Sequence, residues 1–269
     1  MKEYFNPGDD FKSLLNKIFA DDRLTIENIP IGWTNIVQRI SARNNFYIGR
    51  FPRDDFWSEI LMHENKISNY VHDKVSIKIS RLNLHHDIKD RVFTVHEEIP
   101  GTSFSKKIND LTTAELKFLA EDVADFLAEL HGIDVLNSNC NLENIEIFLD
   151  RMLKYHAIDL KIPVEYKNSD ILIHGDFNPK NIILNEQNRL AGVIDFGFAT
   201  VGNVEWDLAR VCRECPTYFE NDLINFYEQK SGRQVNMGRL EILKKLWEEI
   251  CEEYIEYMLN KNKLINLGY

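Results

Sequence analysis

The chain has 269 residues, 44% of them hydrophobic, and a formal net charge of −11, which suits one large globular domain or two lobes without repeats or low-complexity segments. That acidic balance argues against a nucleic-acid partner, since phosphate binding needs clustered Lys and Arg, and favours a small cationic one. No apolar run approaches the roughly 20 residues of a membrane span, and Met1–Asp10 lacks the apolar stretch of a secretory leader, so a cytoplasmic protein with no membrane partner is expected; a monomer is the default expectation beside it.

In chain order, Ile26–Ile31, Ile36–Ile40 and Phe46–Phe51 are short apolar runs separated by Gly32–Asn35 and Ser41–Asn45. They predict an antiparallel meander, closed by Pro52. Phe56, Ile60, Leu61 and Ile67, set among charges, predict a helix over residues 55–70. Arg91–His96 reads as another strand and Glu97–Gly101 as a connector. Residues 113–131 carry Leu116, Leu119, Ala120, Val123, Phe126, Leu127 and Leu130 on one helical face. Thr112 and Glu115 match a capping box at its start, and Gly132 suits its end.

A second such helix is predicted over 141–157, and Ile171–His174 as a short buried strand. Asn181–Leu184 and Leu190–Ile194, on either side of the turn Asn185–Asn188, predict a hairpin. Residues 216–230 and 239–262 read as acid-rich helices. Strands dominate the first hundred residues and helices the rest, which predicts an α+β protein. Its small β-rich N-lobe would span residues 1–98 and its larger, mainly helical C-lobe residues 99–269.

Cys212 and Cys215 form a C-x-x-C, but Cys140 and Cys251 stand alone and no second pair completes a zinc site. Reduced thiols are the expected state.

Two segments carry chemistry: His174-Gly-Asp176-Phe-Asn-Pro-Lys-Asn181 and Ile194-Asp195-Phe-Gly197. The hairpin between them brings Asp176, Asn181 and Asp195 around one point. Phosphoryl transfer needs a carboxylate to orient the attacking hydroxyl and accept its proton, and hard oxygen ligands to hold magnesium against a triphosphate. Asp176 suits the first task; Asn181 and Asp195 suit the second. Each type alone is common in loops, and the order and spacing together carry the signal.

These motifs resemble the aminoglycoside phosphotransferase and choline kinase superfamily, whose HGD takes the place of the protein-kinase HRD. Phe118–Ile133, ending in Leu130-His131, is similar to a family helix, and Gly202–Ala209 to the family's Gly-Asp-Pro-x-x-Asp-Leu-Ala segment. The resemblance implies a two-lobe protein-kinase-like fold, Mg2+ and ATP or GTP as donor. It makes Asp176 the catalytic base, Asn181 and Asp195 magnesium ligands, and Asp207 a buried acid bracing the catalytic loop. His174 has a structural part.

For the nucleotide, the resemblance implies a phosphate-covering turn at Gly32–Asn35, with Thr34 and Asn35 as donors. Arg50 stands where the family has Lys, a departure that matters because the two differ in donor geometry. Glu64 is its expected partner, Glu59 a second. His96–Ile99 would be the hinge, with backbone groups of Glu97 and Ile99 meeting the purine.

Glu205, Glu220, Asp222, Glu248, Glu249, Glu252, Glu253 and Glu256 are candidate ligands for an acceptor's ammonium groups; a solvated helix face is the alternative meaning. An aminoglycoside O-phosphotransferase is the sharpest expectation. Kinases of choline, ethanolamine or homoserine, and a nucleotide-binding regulatory protein with little turnover, stay open beside it.

Overall fold

The computed structural model describes residues 9–21, 23–29, 34–87, 89–135, 140, 142–162 and 170–266. The chain divides into two compact units: Met1–His72 with Ile79–Ile99, and Asp73–Lys78 with Pro100–Tyr269.

The first unit contains α1 (Asp9–Phe19), β1 (Thr25–Ile29), β2 (Asn35–Ala42), β3 (Asn45–Pro52) and α2 (Asp55–Val71). After β4 (Lys78–Ile79), where the units divide, come β5 (Asn83–His86) and β6 (Val92–Glu97). An antiparallel sheet runs in the order β1-β2-β3-β6-β5. The expected meander is its first half, in a register that sets Ile36 opposite Phe51 and Ile40 opposite Tyr47. Its second turn, Arg43-Asn44, has φ of 51° and 64°, the positive pair that lets a two-residue hairpin follow strand twist.

No element was expected before Ile26, yet α1 lies there. Phe11, Leu15 and Phe19 fall on one face and pack with Ile40, Phe51, Phe93 and Val95. Phe11 meets Phe51 edge-on at 4.4 Å, and Phe51 stacks on Phe93 at 5.3 Å. The edge strand β5 was also not expected; its sequence, Asn-Leu-His-His, is largely polar. Helix α2 starts as predicted, with Asp54 accepting the Trp57 N–H at 3.1 Å.

The second unit is mainly helical: α3 (Thr113–His131), α4 (Ile145–Tyr155), α5 (Glu205–Cys212), α6 (Thr217–Ser231) and α7 (Met237–Asn266). Among them run short strands β7 (Thr102–Ser103), β8 (Leu172–Ile173), β9 (Ile182–Leu184), β10 (Leu190–Val193) and β11 (Thr200–Val201). Strands β9 and β10 form the expected hairpin, bulged between Leu190 and Gly192; β7 pairs with β9, and β11 with β8. Helix α3 has the full capping box, and its apolar face is buried against α6.

The polar face of α3 grips the hairpin turn. Glu115 accepts from Asn188 Nδ2 at 2.8 Å. Asp122 accepts from Arg189 Nε at 2.7 Å and from the Leu190 N–H at 3.1 Å. Helix α4 begins at Ile145, not 141, because Asn144 caps it, accepting the Glu146 N–H at 2.9 Å. Helix α5 was not foreseen as a helix. All eight of its residues are buried, so it lacks the polar-apolar alternation by which a surface helix is recognised. Among the described residues, no helix is long and apolar enough to cross a membrane.

Candidate active site

In the second unit, β8 leads into the loop His174–Asn181. Gly175 has φ of 78°, and a Cβ there would lie 2.1 Å from the Phe198 carbonyl oxygen, so only glycine fits. The backbone is held from α5. Asp207 is fully buried and accepts the N–H groups of His174 at 2.7 Å and Gly175 at 2.8 Å.

Behind Asp207 stands His131, at the end of α3, with Nε2 3.2 Å from its Oδ2 and Nδ1 2.8 Å from the Tyr227 hydroxyl. Burial pushes the Tyr227 phenol well above its ordinary range, which keeps it a donor. With the Tyr227 hydroxyl donating to Nδ1, the His131 Nε2–H donates to Asp207. His174 works as a tie in the same way. Its Nε2 donates to the Ile194 carbonyl at 3.1 Å, and its Nδ1 accepts the Asp176 N–H at 3.3 Å.

These ties gather the predicted trio. The Asp176 carbonyl accepts the Asn178 N–H and Asn181 Nδ2, each at 2.9 Å. The Asn181 carbonyl in turn accepts the Ile194 N–H at 3.0 Å, which sets Asp195 beside Asn181. Asp195 has φ of 69° and opens the turn Phe196–Phe198. Because Asn181 Nδ2 is engaged with Asp176, its amide presents Oδ1 as the remaining acceptor.

Sequence reasoning missed one residue at the centre. Arg210, on α5, donates from Nε to Asp176 Oδ1 at 2.8 Å, while Asn181 Nδ2 lies 3.5 Å from Oδ2. Its Nη1 binds Glu214 at 2.7 Å, and its guanidinium lies 5.2 Å from the centre of the Trp247 ring. Burial alone would lower its basicity, but the charges of Asp176 and Glu214 outweigh that and hold it up. The available signal was its place three residues after Asp207, one helical turn along the same face.

In the first unit, Arg50 on β3 forms a buried ion pair with Glu64 on α2, while Glu59 is exposed. Gly32 and Trp33 lie outside the described residues. Thr34 Oγ1 accepts from Asn35 Nδ2 at 2.9 Å, and the Thr34 carbonyl accepts the Arg53 N–H at 3.1 Å. Glu97 ends β6 with its side chain exposed, and its carbonyl accepts from Ser80 Oγ at 3.1 Å. Ile99 is buried two residues on.

The candidate acceptor ligands separate into groups. Glu205 is buried, accepting the Asn236 N–H at 2.8 Å and pairing with Arg239 at 3.1 Å. Glu220 is paired with Lys244 at 2.9 Å. Glu248, Glu249, Glu252, Glu253 and Glu256 are exposed on α7, opposite the buried Ile250 and Tyr254. Cys212, Cys215 and Cys251 are free thiols, and burial raises the Cys212 pKa. Among the described residues, no three His, Cys, Asp or Glu side chains cluster as a metal site.

The model of the phosphotransferase enzyme family matches residues 25–168 and 151–242 of the chain. Among solved structures, APH(2")-IIa in its ternary complex with streptomycin and ATP is similar with a TM-score of 0.67 at 22% identity, covering 94% of each chain. The apoenzyme of macrolide 2'-phosphotransferase MphH from Brachybacterium faecium is similar with a TM-score of 0.69 at 16% identity, covering 95% of this chain and 94% of its own. At such identities the likeness establishes the fold, the two-lobe protein-kinase-like α+β architecture. Among curated proteins, the uncharacterized protein YcbJ of Bacillus subtilis (strain 168) is 24% identical over 164 residues, 53% of this chain. The chain spans about half the length of that relative, 50%.

Proposed function

We propose that this chain, which belongs to the phosphotransferase enzyme family, transfers the γ-phosphoryl group of ATP or GTP to a hydroxyl of a small cationic acceptor, an aminoglycoside before others. The observation that carries this reading is the convergence of Asp176, Asn181 and Asp195 on one braced loop system. Asp176 accepts the acceptor's hydroxyl proton and aims its oxygen along the line of attack.

Asn181 Oδ1 and the Asp195 carboxylate would hold Mg2+. One carboxylate and one amide oxygen suit that ion, which keeps several waters and binds substrate phosphates. When bound, magnesium neutralises charge on the phosphates. Residues 1–98 take the nucleotide: Arg50, oriented by Glu64, meets phosphate oxygens, Thr34 and Asn35 lie along the triphosphate, and the Glu97 and Ile99 backbone meets the purine. Residues 99–269 supply the base, the metal ligands and the acceptor site.

The net charge of −11 and the exposed acids of α7 support a cationic acceptor, as does the streptomycin bound by APH(2")-IIa. A second acceptor class, the macrolides, is favoured by the likeness to MphH. Choline, ethanolamine and homoserine complete the set to be tested.

The test is nucleotide turnover with ATP and GTP in parallel against aminoglycosides, a macrolide, choline, ethanolamine and homoserine. Acceptor-dependent turnover is expected with an aminoglycoside. Asp176→Ala lowers it by about 10²–10⁴-fold while magnesium-nucleotide affinity stays near the parent's. Nucleotide binding with silence across every acceptor would favour the regulatory reading instead.

A further inference from the structure

We infer that Arg210 is a positioning residue for phosphoryl transfer, fixing the orientation of the Asp176 carboxylate and acting through it; the inference rests on the reading of Asp176 as base. A carboxylate on a loop turns about its last side-chain bond, and a base must keep one oxygen on the acceptor hydroxyl. Nothing in the backbone ties described above restrains that rotation. They engage the Asp176 carbonyl and N–H, whereas the carboxylate is met by Arg210 Nε at Oδ1, 2.8 Å away, and more distantly by Asn181 Nδ2 at 3.5 Å from Oδ2. With Oδ1 taken by the guanidinium, Oδ2 is the oxygen left for the hydroxyl.

Arg210 is itself built in. Its side chain is 9% exposed, Glu214 holds Nη1, and Trp247 flanks the guanidinium. A planar cation fixed on several sides is a rigid reference, which a flexible lysine ammonium is not. The helix makes the arrangement economical. Asp207 and Arg210 sit one turn apart on α5, so the element that fixes the loop backbone also fixes its reactive side chain. No group is transferred to or from Arg210; it holds one oxygen and releases nothing.

The test uses the full chain and needs no identified acceptor: consumption of MgATP with water as the attacking hydroxyl, for the parent, Arg210→Met, Arg210→Lys, Asp176→Ala and the double variant Asp176→Ala/Arg210→Met. Affinity for MgATP and the thermal midpoint are measured on each. Arg210→Met is expected to lower kcat by about 10–100-fold, with KM for MgATP unchanged. Arg210→Lys is expected to recover part of the loss, folding as the parent does even if the Met variant does not. In the Asp176→Ala background, removing Arg210 is expected to cost nothing further, because residues acting as a unit are not additive. Parental kcat in Arg210→Met and Arg210→Lys, or a further multiplicative loss in the double variant, overturns the positioning role. Parental turnover in Asp176→Ala instead overturns the assignment of the base, and the inference with it.

Discussion

The loop His174–Asn181 and the stretch Thr34–Asn35 are both expected to meet phosphate chemistry, and they are held in opposite ways. The loop receives side chains from several elements of its unit: Asp207 and Arg210 from α5, with His131 from α3 and Tyr227 from α6 behind them. The described ties of Thr34 stay within the β2–β3 hairpin, an amide from Asn35 and an N–H from Arg53 at the far end of the register. Chemistry done by a carboxylate oxygen must be fixed in orientation, so its supports are particular side chains. A turn that offers backbone donors needs only its fold, and many sequences supply that.

The sharpest way to break this contrast is Asp207→Ala. It strands two buried N–H groups and His131, and is expected to cost about 3–5 kcal/mol, seen as a large drop in thermal midpoint or loss of folded protein. A midpoint near the parent's would mean the loop is held by something other than α5. Arg50→Met comes next, since it removes one member of the buried pair with Glu64. Weaker nucleotide binding by roughly tenfold or more, together with a lower midpoint, is expected; calorimetric titration with MgATP reads the first. Unchanged affinity would remove Arg50 from the nucleotide site. Asn35→Ala is the mildest, forfeiting one local hydrogen bond worth about 1 kcal/mol or less. Its effect on KM for nucleotide should stay below that of Arg50→Met, and a larger effect would show that side chains, not backbone, read the phosphates there.

The same contrast explains what was legible in the sequence. The trio Asp176, Asn181 and Asp195 could be read because a hairpin of predictable length joins the motifs, and β9 and β10 form it. Helix α3 was legible down to its cap because Thr112, Glu115 and a regular apolar face are local signals. Helix α5 was not. Glu205, Asp207 and Arg210 are buried there with Trp206 and Leu208, and a helix buried on all sides has no periodicity to find. Arg210 was missed for that reason: its meaning lies in a partner 34 residues away. The cost of the opposite assumption appears at Glu205 and Glu220, whose charge suggested an acceptor site but which are paired internally with Arg239 and Lys244. In the first unit, α1 carries helical spacing at Phe11, Leu15 and Phe19, a local signal of the kind that marks α3.

Glu115 ties the start of α3 to the hairpin turn, and its ionisation makes that tie sensitive to acid. The Thr112 hydroxyl, then the Thr112 N–H and the Asn188 amide, hold its carboxyl at about 2, against an ordinary 4.5. A carboxyl whose pKa is lowered by folding stabilises the folded chain fully above the unfolded value and loses that contribution as pH falls through the folded one. The contribution of this grip to stability is therefore full above about pH 4.5 and is lost as pH falls toward about 2, yet within the folded chain the carboxylate stays ionised, and the hairpin between Asn181 and Asp195 stays tied to α3, until the pH nears that lower value. Glu115→Gln should flatten that part of the stability–pH curve, and an unaltered curve would place the acid response in other carboxylates.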